Sequence, residues 1–176
     1  MRIWIGGGIG HGKSTLGRIL ARRLQLPLLD LDRIIFRDYY GGEGRFSEQE
    51  TIENLNNFLK NNNSWIIEGP QKREWCESGI KEARIILILK INRWRALQRF
   101  FKRQLKLMTR WQHQKNDWIR KIRWILFYER DDFPRYMNLI KKYEKFYLVL
   151  GNNKDIRESI VYLERRDRES FINHKS

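Results

Sequence analysis

Residues 7–14 read Gly7-Gly8-Ile9-Gly10-His11-Gly12-Lys13-Ser14 and match G-x-x-x-x-G-K-[ST] at every fixed position. The chemistry of that pattern is anion binding. Its glycines let successive backbone N–H groups point inward as a nest. A helix beginning near Lys13 adds the positive end of its dipole. The Lys13 ammonium can reach the β- and γ-phosphates as a point charge, and the Ser14 hydroxyl suits Mg2+. Gly8, Ile9, Gly10, His11, Gly12, Lys13, Ser14 and Thr15 are therefore expected to bind ATP, with Lys13 in a catalytic role.

The flanks agree with the motif. Arg2–Ile5 is a short apolar run ending in glycine, the signature of a strand. Residues 13–25 place Leu16, Ile19, Leu20 and Leu24 on one helical face and stop before Pro27. Further strands are expected at 28–31, 65–67, 85–89 and 146–150. Helices are expected at 47–60, opened by a Ser47/Glu50 capping box, and at 93–110, 116–130, 135–145 and 153–165. Strands this apolar, alternating with helices, predict a three-layer α/β fold with a five-stranded parallel sheet and helices on both faces. No linker or repeat divides the 176 residues, so a single domain is expected, frayed from about residue 166.

Composition removes several classes. The lone Cys76 builds neither an internal disulfide nor a cysteine-based zinc site, and the three histidines lack ligand spacing. The longest aliphatic run, Ile85–Leu89, is far short of the roughly 20 residues that cross a bilayer. The expectation is a soluble cytoplasmic protein without a membrane partner, its oligomeric state left open.

Net charge is +15, and it is unevenly spread. Residues 90–145 hold 17 basic and 5 acidic side chains, while 1–89 and 146–176 are nearly balanced. Four of the seven tryptophans lie in the same segment: Trp94, Trp111, Trp118 and Trp124. The plain reading is a solvated basic face. The sharper one is a surface for polyanions, with aromatic faces for bases and cations for phosphates. On the helix at 93–110 the apolar stripe reads Trp94, Leu97, Phe101, Leu105 and Met108, which predicts Trp94 in the core together with Trp4 and Trp65. Trp111 and Trp118 are the expected stacking residues.

Acidic residues fall at strand ends. Asp32 follows the second strand, where a carboxylate can orient or deprotonate an acceptor hydroxyl; otherwise it is an N-cap for Arg33-Ile34-Ile35. Asp30 could face the metal instead. Glu68 closes the third strand and keeps a carboxylate for a water-bridged Mg2+; otherwise it caps a turn. Arg33, Arg37 and Arg73 are candidates for holding the acceptor.

The pattern GGxGxGKSTLxRxLAxxLxLPxxxLD, then Trp65-Ile66-Ile67-Glu68-Gly69, then an apolar strand and an Arg-rich helix, resembles the small adenylate-kinase-like P-loop kinases. Among them it is most similar to the family of DNA topology modulation proteins. The resemblance spans roughly residues 1–150 and is specific over 1–32 and 64–70. It implies a basic helical lid at about 93–135, MgATP as donor, and an acceptor bound opposite it. It also implies that Arg99 and Arg103, four apart on one face, act as lid arginines on the transferring phosphates, and that Arg130 contacts ATP. Two positions depart from that pattern: Glu68 stands for the usual Asp, and Lys90-Ile91-Asn92 for Asp-x-Pro. A weaker resemblance to phage polynucleotide kinases, added to the basic aromatic segment, makes a single-stranded nucleic-acid 5′-hydroxyl the expected acceptor. The alternatives are a nucleoside or nucleoside-monophosphate kinase, and a nucleotide-gated nucleic-acid-binding protein without kinase activity.

Overall fold

The computed structural model describes residues 1–37, 44–69, 74–108 and 118–172, with side chains as far as Leu105 and Glu169 in the helices that end those last two segments. Five parallel strands form the sheet: β1 (Arg2–Gly7), β2 (Leu28–Asp30), β3 (Trp65–Glu68), β4 (Ile85–Leu89) and β5 (Tyr147–Leu150). Their order across the sheet is β2-β3-β1-β4-β5. The chain leaves β1 on one side, returns through β3, and crosses to β4 on the other. A crevice therefore opens at the carboxyl end of β1, the switch point where ligands bind in open α/β sheets.

Side-chain alternation builds two cores. Ile3 and Ile5 point to one face with Ile66, Leu87 and Leu89, where they meet Leu16 and Leu20 of α1 (Lys13–Leu24) and Ile160 and Leu163 of α8 (Asn153–Ile172). Trp4 points to the other face with Trp65, Ile67, Ile86 and Ile88. There it meets α3 (Glu48–Asn61), α4 (Glu77–Glu82) and α7 (Phe133–Lys142) through Leu55, Ile80, Tyr136 and Ile140. Each fully buried aliphatic of this kind stabilises by about 1.5–3 kcal/mol before entropy is charged against it. Both faces are covered, which is why these strands are continuous apolar runs.

Local signals set the helix ends. Ser47 and Glu50 make the reciprocal capping box of α3. Pro134 sits in the first turn of α7, where its missing N–H costs nothing, so it opens that helix rather than interrupting one. A short 3-10 turn at Glu74–Cys76 and α4 arise between β3 and β4, where no element was expected. The last helix runs on to Ile172 instead of fraying at 166; the Arg166 guanidinium donates to the Tyr162 hydroxyl one turn back at 2.9 Å.

The basic segment forms α5 (Arg93–Met108) and α6 (Trp118–Asp131). The buried face of α5 is Ala96, Leu97, Phe100 and Gln104. The expected stripe is therefore rotated: Trp94 is 64% exposed and Leu105 63%, and Trp94 is not a core residue. Trp4 and Trp65 are fully buried, as expected. Trp118 packs edge-on against Phe100 and Phe101, which corrects its reading as an open stacking platform. Trp111 and Arg73 lie outside the described residues.

Candidate active site

The loop between β1 and α1 lies at the switch point. Gly10 and Gly12 adopt φ of 76° and 98°, a region that L side chains rarely enter. A side chain at Gly10 would also drive its Cβ to 2.5 Å from the Ala96 carbonyl oxygen of α5. Gly12 is the N-cap of α1, and its carbonyl accepts from the Thr15 and Leu16 amides at 3.1 and 3.0 Å. No side chain caps this helix, and its first turn carries no acid, so the positive end of its dipole is open to an anion. Lys13 folds back over the loop and donates to the Gly8 carbonyl at 3.0 Å.

Three carboxylates from two neighbouring strand ends converge on Lys13. Asp30 and Glu68 are register partners in β2 and β3. Asp30 caps α2 (Leu31–Ile35): its Oδ1 accepts from the Asp32 amide at 3.0 Å. The cap is thus Asp30, which leaves the Asp32 side chain available in the first turn. Burial and the charge of Asp30 raise the Asp32 carboxyl above the usual range, with Lys13, Arg103 and Arg45 opposing. Glu68 is 2% exposed; burial and Asp30 push it up to about 7, against a hydrogen bond from Ser14 and the charge of Lys13. Lys13 is lowered, chiefly by burial, although Glu68, Asp32 and Asp30 all favour its charged form.

The donor set of Ser14 and Glu68, with Asp30 alongside, is hard oxygen throughout. It fits Mg2+, which keeps several waters and phosphate oxygens as ligands and needs few from the protein. Among the described residues no group of three or more His, Cys, Asp or Glu forms a dedicated all-protein metal cage.

The arginines divide. The Arg99 guanidinium of α5 donates to the His11 carbonyl at 3.3 Å, and Arg103 acts electrostatically on both Lys13 and Asp32. These two come together at the loop. Arg130 does not join them: it is held by Asp131 at 2.6 Å and stacks on Phe127. Arg37 is exposed, pairs with Glu50 at 2.9 Å and lies over Phe46. Arg33 is exposed on α2. Sequence reasoning missed Arg45, which lies over the Phe36 ring within electrostatic reach of Asp32. It also missed Tyr128 of α6, whose ring packs on Gly8 and His11. Only the bridge between Phe36 and Arg45, formed by folding, brings Arg45 near.

The family model of shikimate kinase matches residues 9–145. The chain belongs to the shikimate kinase family. Its curated relatives include the shikimate kinases of Enterococcus faecalis, 35% identical over 85 residues (41% of this chain, 51% of that one), and of Bacillus mycoides, 30% over 88 residues (43% and 53%). The chain thus aligns with about half the length of these relatives. The fold is shared with the shikimate kinase from Acinetobacter baumannii solved with shikimate, at a TM-score of 0.58 and 19% identity over 99% of this chain and 94% of that one. It is shared also with that of Bacteroides thetaiotaomicron, at 0.55 and 19% over 94% and 96%. The fold is thus the adenylate-kinase-like P-loop α/β fold, and the family is one of kinases that use ATP with Mg2+.

These findings correct the expected acceptor. The relatives are shikimate kinases, neither DNA topology modulation proteins nor polynucleotide kinases. The nucleic-acid 5′-hydroxyl reading is overturned, and neither the nucleoside or nucleotide kinase nor the non-catalytic nucleic-acid binder replaces it. The net charge of a segment does not name its partner, since the fold decides where each cation goes. Arg99 is spent on the loop, Lys142 on Glu77, Arg130 on Asp131, and Lys90 on Glu129 and Phe133. Among the described residues no helix is long and apolar enough to cross a membrane.

Proposed function

We propose that this chain transfers the γ-phosphate of ATP to a hydroxyl of shikimate. The observation that carries the reading is the desolvated carboxylate of Asp32 beside the phosphate-loop lysine, in a chain matched by the shikimate kinase model over residues 9–145. Burial makes Asp32 a stronger base than an exposed aspartate, which suits it to take or orient an acceptor proton. Its carboxylate oxygen accepts that proton as the acceptor oxygen bonds to the γ-phosphorus. The bond from the γ-phosphorus to the β–γ bridging oxygen breaks, and ADP leaves.

Lys13 and the amides of Gly8 to Thr15 hold the phosphates, and Arg99 and Arg103 neutralise charge on the group in flight. Ser14 would hold Mg2+, with Glu68 and Asp30 as the nearby carboxylates, and the ion would supply further neutralising charge. Arg33, Arg37 and Arg45 are the cations we assign to a carboxylate of the acceptor; Arg73 lies outside the described residues. Arg37 must release Glu50 to serve there. We assign the work to the cytoplasm, where ATP is supplied.

The test is shikimate-dependent ADP release, with the phosphorylated product identified by mass. Asp32→Asn should retain ATP binding and lose turnover by roughly 10²–10⁴-fold. A folded, ATP-binding wild type without shikimate-dependent ADP release would overturn the assignment of the acceptor. An active Asp32→Asn would overturn the role of that carboxylate.

A further inference from the structure

Position 11 is one of the unspecified positions of the phosphate-binding motif, where a nest requires only a backbone amide. In this chain it is a histidine only 2% exposed, and three elements distant in sequence grip it. From the carboxyl end of β4, the Leu89 carbonyl oxygen lies 2.6 Å from His11 Nδ1. From α5, Arg99 donates to the His11 carbonyl. From α6, the Tyr128 ring meets the imidazole edge-on, with centroids 4.7 Å apart and planes at 79°.

A carbonyl oxygen only accepts, so the proton between it and the ring belongs to Nδ1. The Gly8 amide nitrogen lies 3.2 Å from the same Nδ1. Burial pushes the imidazole down to about 4, so the ring is neutral and adds no charge to the loop. Tyr128 is 6% exposed and also covers Gly8 so closely that a Cβ there would come to 3.0 Å from its ring carbons. One imidazole and one phenol ring therefore connect the loop to the helical pair that carries Arg99 and Arg103. The motif's anion chemistry demands neither ring.

We infer that His11 and Tyr128 form a joint that fixes the phosphate loop against the α5–α6 helical pair, with His11 a positioning residue for bound nucleotide. The inference rests on the reading of this loop as the nucleotide site, not on the identity of the acceptor. A displacement of α6 must drag the imidazole, and with it the loop amides on either side. Conversely, a phosphate that orders the loop fixes the seat of Tyr128.

The experiment is ADP affinity without acceptor, read by fluorescence of an N-methylanthraniloyl-ADP probe. It would be run on wild type, His11→Ala, Tyr128→Ala and the double variant, with Tyr128→Phe as the conservative control. Each alanine change should weaken the probe roughly tenfold, and the double variant should be little worse than either single, because the two side chains act as one unit. Tyr128→Phe keeps the ring and should bind within about twofold of wild type. In steady state, KM for ATP should rise more than kcat falls. Additive losses in the double variant, or a Tyr128→Phe as weak as Tyr128→Ala, would overturn the joint. So would unchanged affinity in variants whose melting temperature drops. If His11→Ala does not fold, His11→Asn carries the same test: it keeps a donor near Nδ1, loses the ring contact, and should show the same tenfold loss. Because no acceptor is present, a wrong acceptor leaves this result untouched.

Discussion

Replacing Glu68 with Gln should stabilise the free protein, and only at higher pH. Glu68 is 2% exposed at the end of β3, facing Asp30 across the strand pair, and its carboxyl is pushed up to about 7 from 4.5. That difference of about 2.5 units, at 1.36 kcal/mol per unit, corresponds to about 3 kcal/mol. The sign follows from proton binding. Between pH 4.5 and 7 the folded chain holds a proton that the unfolded chain has released. Folding is therefore favoured below that window, and the advantage is lost as pH rises through the folded value. Gln is nearly isosteric, cannot ionise, and can still accept from Ser14. Urea unfolding of both proteins in chelator, without nucleotide, isolates the effect, since the other titrating groups largely cancel in the difference. Near pH 4.5 the two should be about equal; from pH 7.5 upward Glu68→Gln should be more stable by up to about 3 kcal/mol. A difference that does not change with pH, or a variant less stable at pH 8, would refute the claim that burial and Asp30 disfavour the ionised Glu68 carboxylate.

Lys13→Ala should lower turnover by at least roughly 10²–10³-fold while the melting temperature stays near that of the wild type, because among the described residues the hydrogen bond it removes is the one to the Gly8 carbonyl; coupled turnover and calorimetry check both halves. Gly79→Ala in α4 would push a methyl into the indole of Trp4, and chemical denaturation should show a loss of about 1–3 kcal/mol. Ser47→Ala removes one half of the α3 capping box and should cost about 1 kcal/mol by the same assay, without altering kcat.

How far the sequence was legible depended on the range of the physics involved. The phosphate loop, the capping box and the apolar strands are encoded within a few residues each, and all of them formed where their spacing requires. The face of α5 was misjudged because its apolar residues go nearly all round: Trp94, Leu97, Phe101 and Leu105 are as good a stripe as Ala96, Leu97 and Phe100. What turned the helix was the close approach of Ala96 to Gly10 and the reach of Arg99 to His11. Both contacts span more than eighty residues of sequence, and no local period records them. Asp30 and Asp32 could not be separated for a related reason. Both suit an N-cap, and only the extended conformation of Asp30 decides which of them caps α2 and which is left for chemistry.

The acceptor is the hardest property to read from composition, because net charge counts the cations of a segment without saying where the fold places them. An excess of twelve positive charges over residues 90–145 looks like a surface for a polyanion. Among the described residues, Arg99 of this segment reaches the phosphate loop and Arg103 bears on Lys13 and Asp32. The acceptor side proposed above draws instead on the nearly neutral first half: Asp32, Arg45 within electrostatic reach of it, and Arg33 of α2. As proposed, one desolvated carboxylate with a few arginines suits a small anionic acceptor with a free hydroxyl. That proposed partition agrees with the shikimate kinase match over residues 9–145.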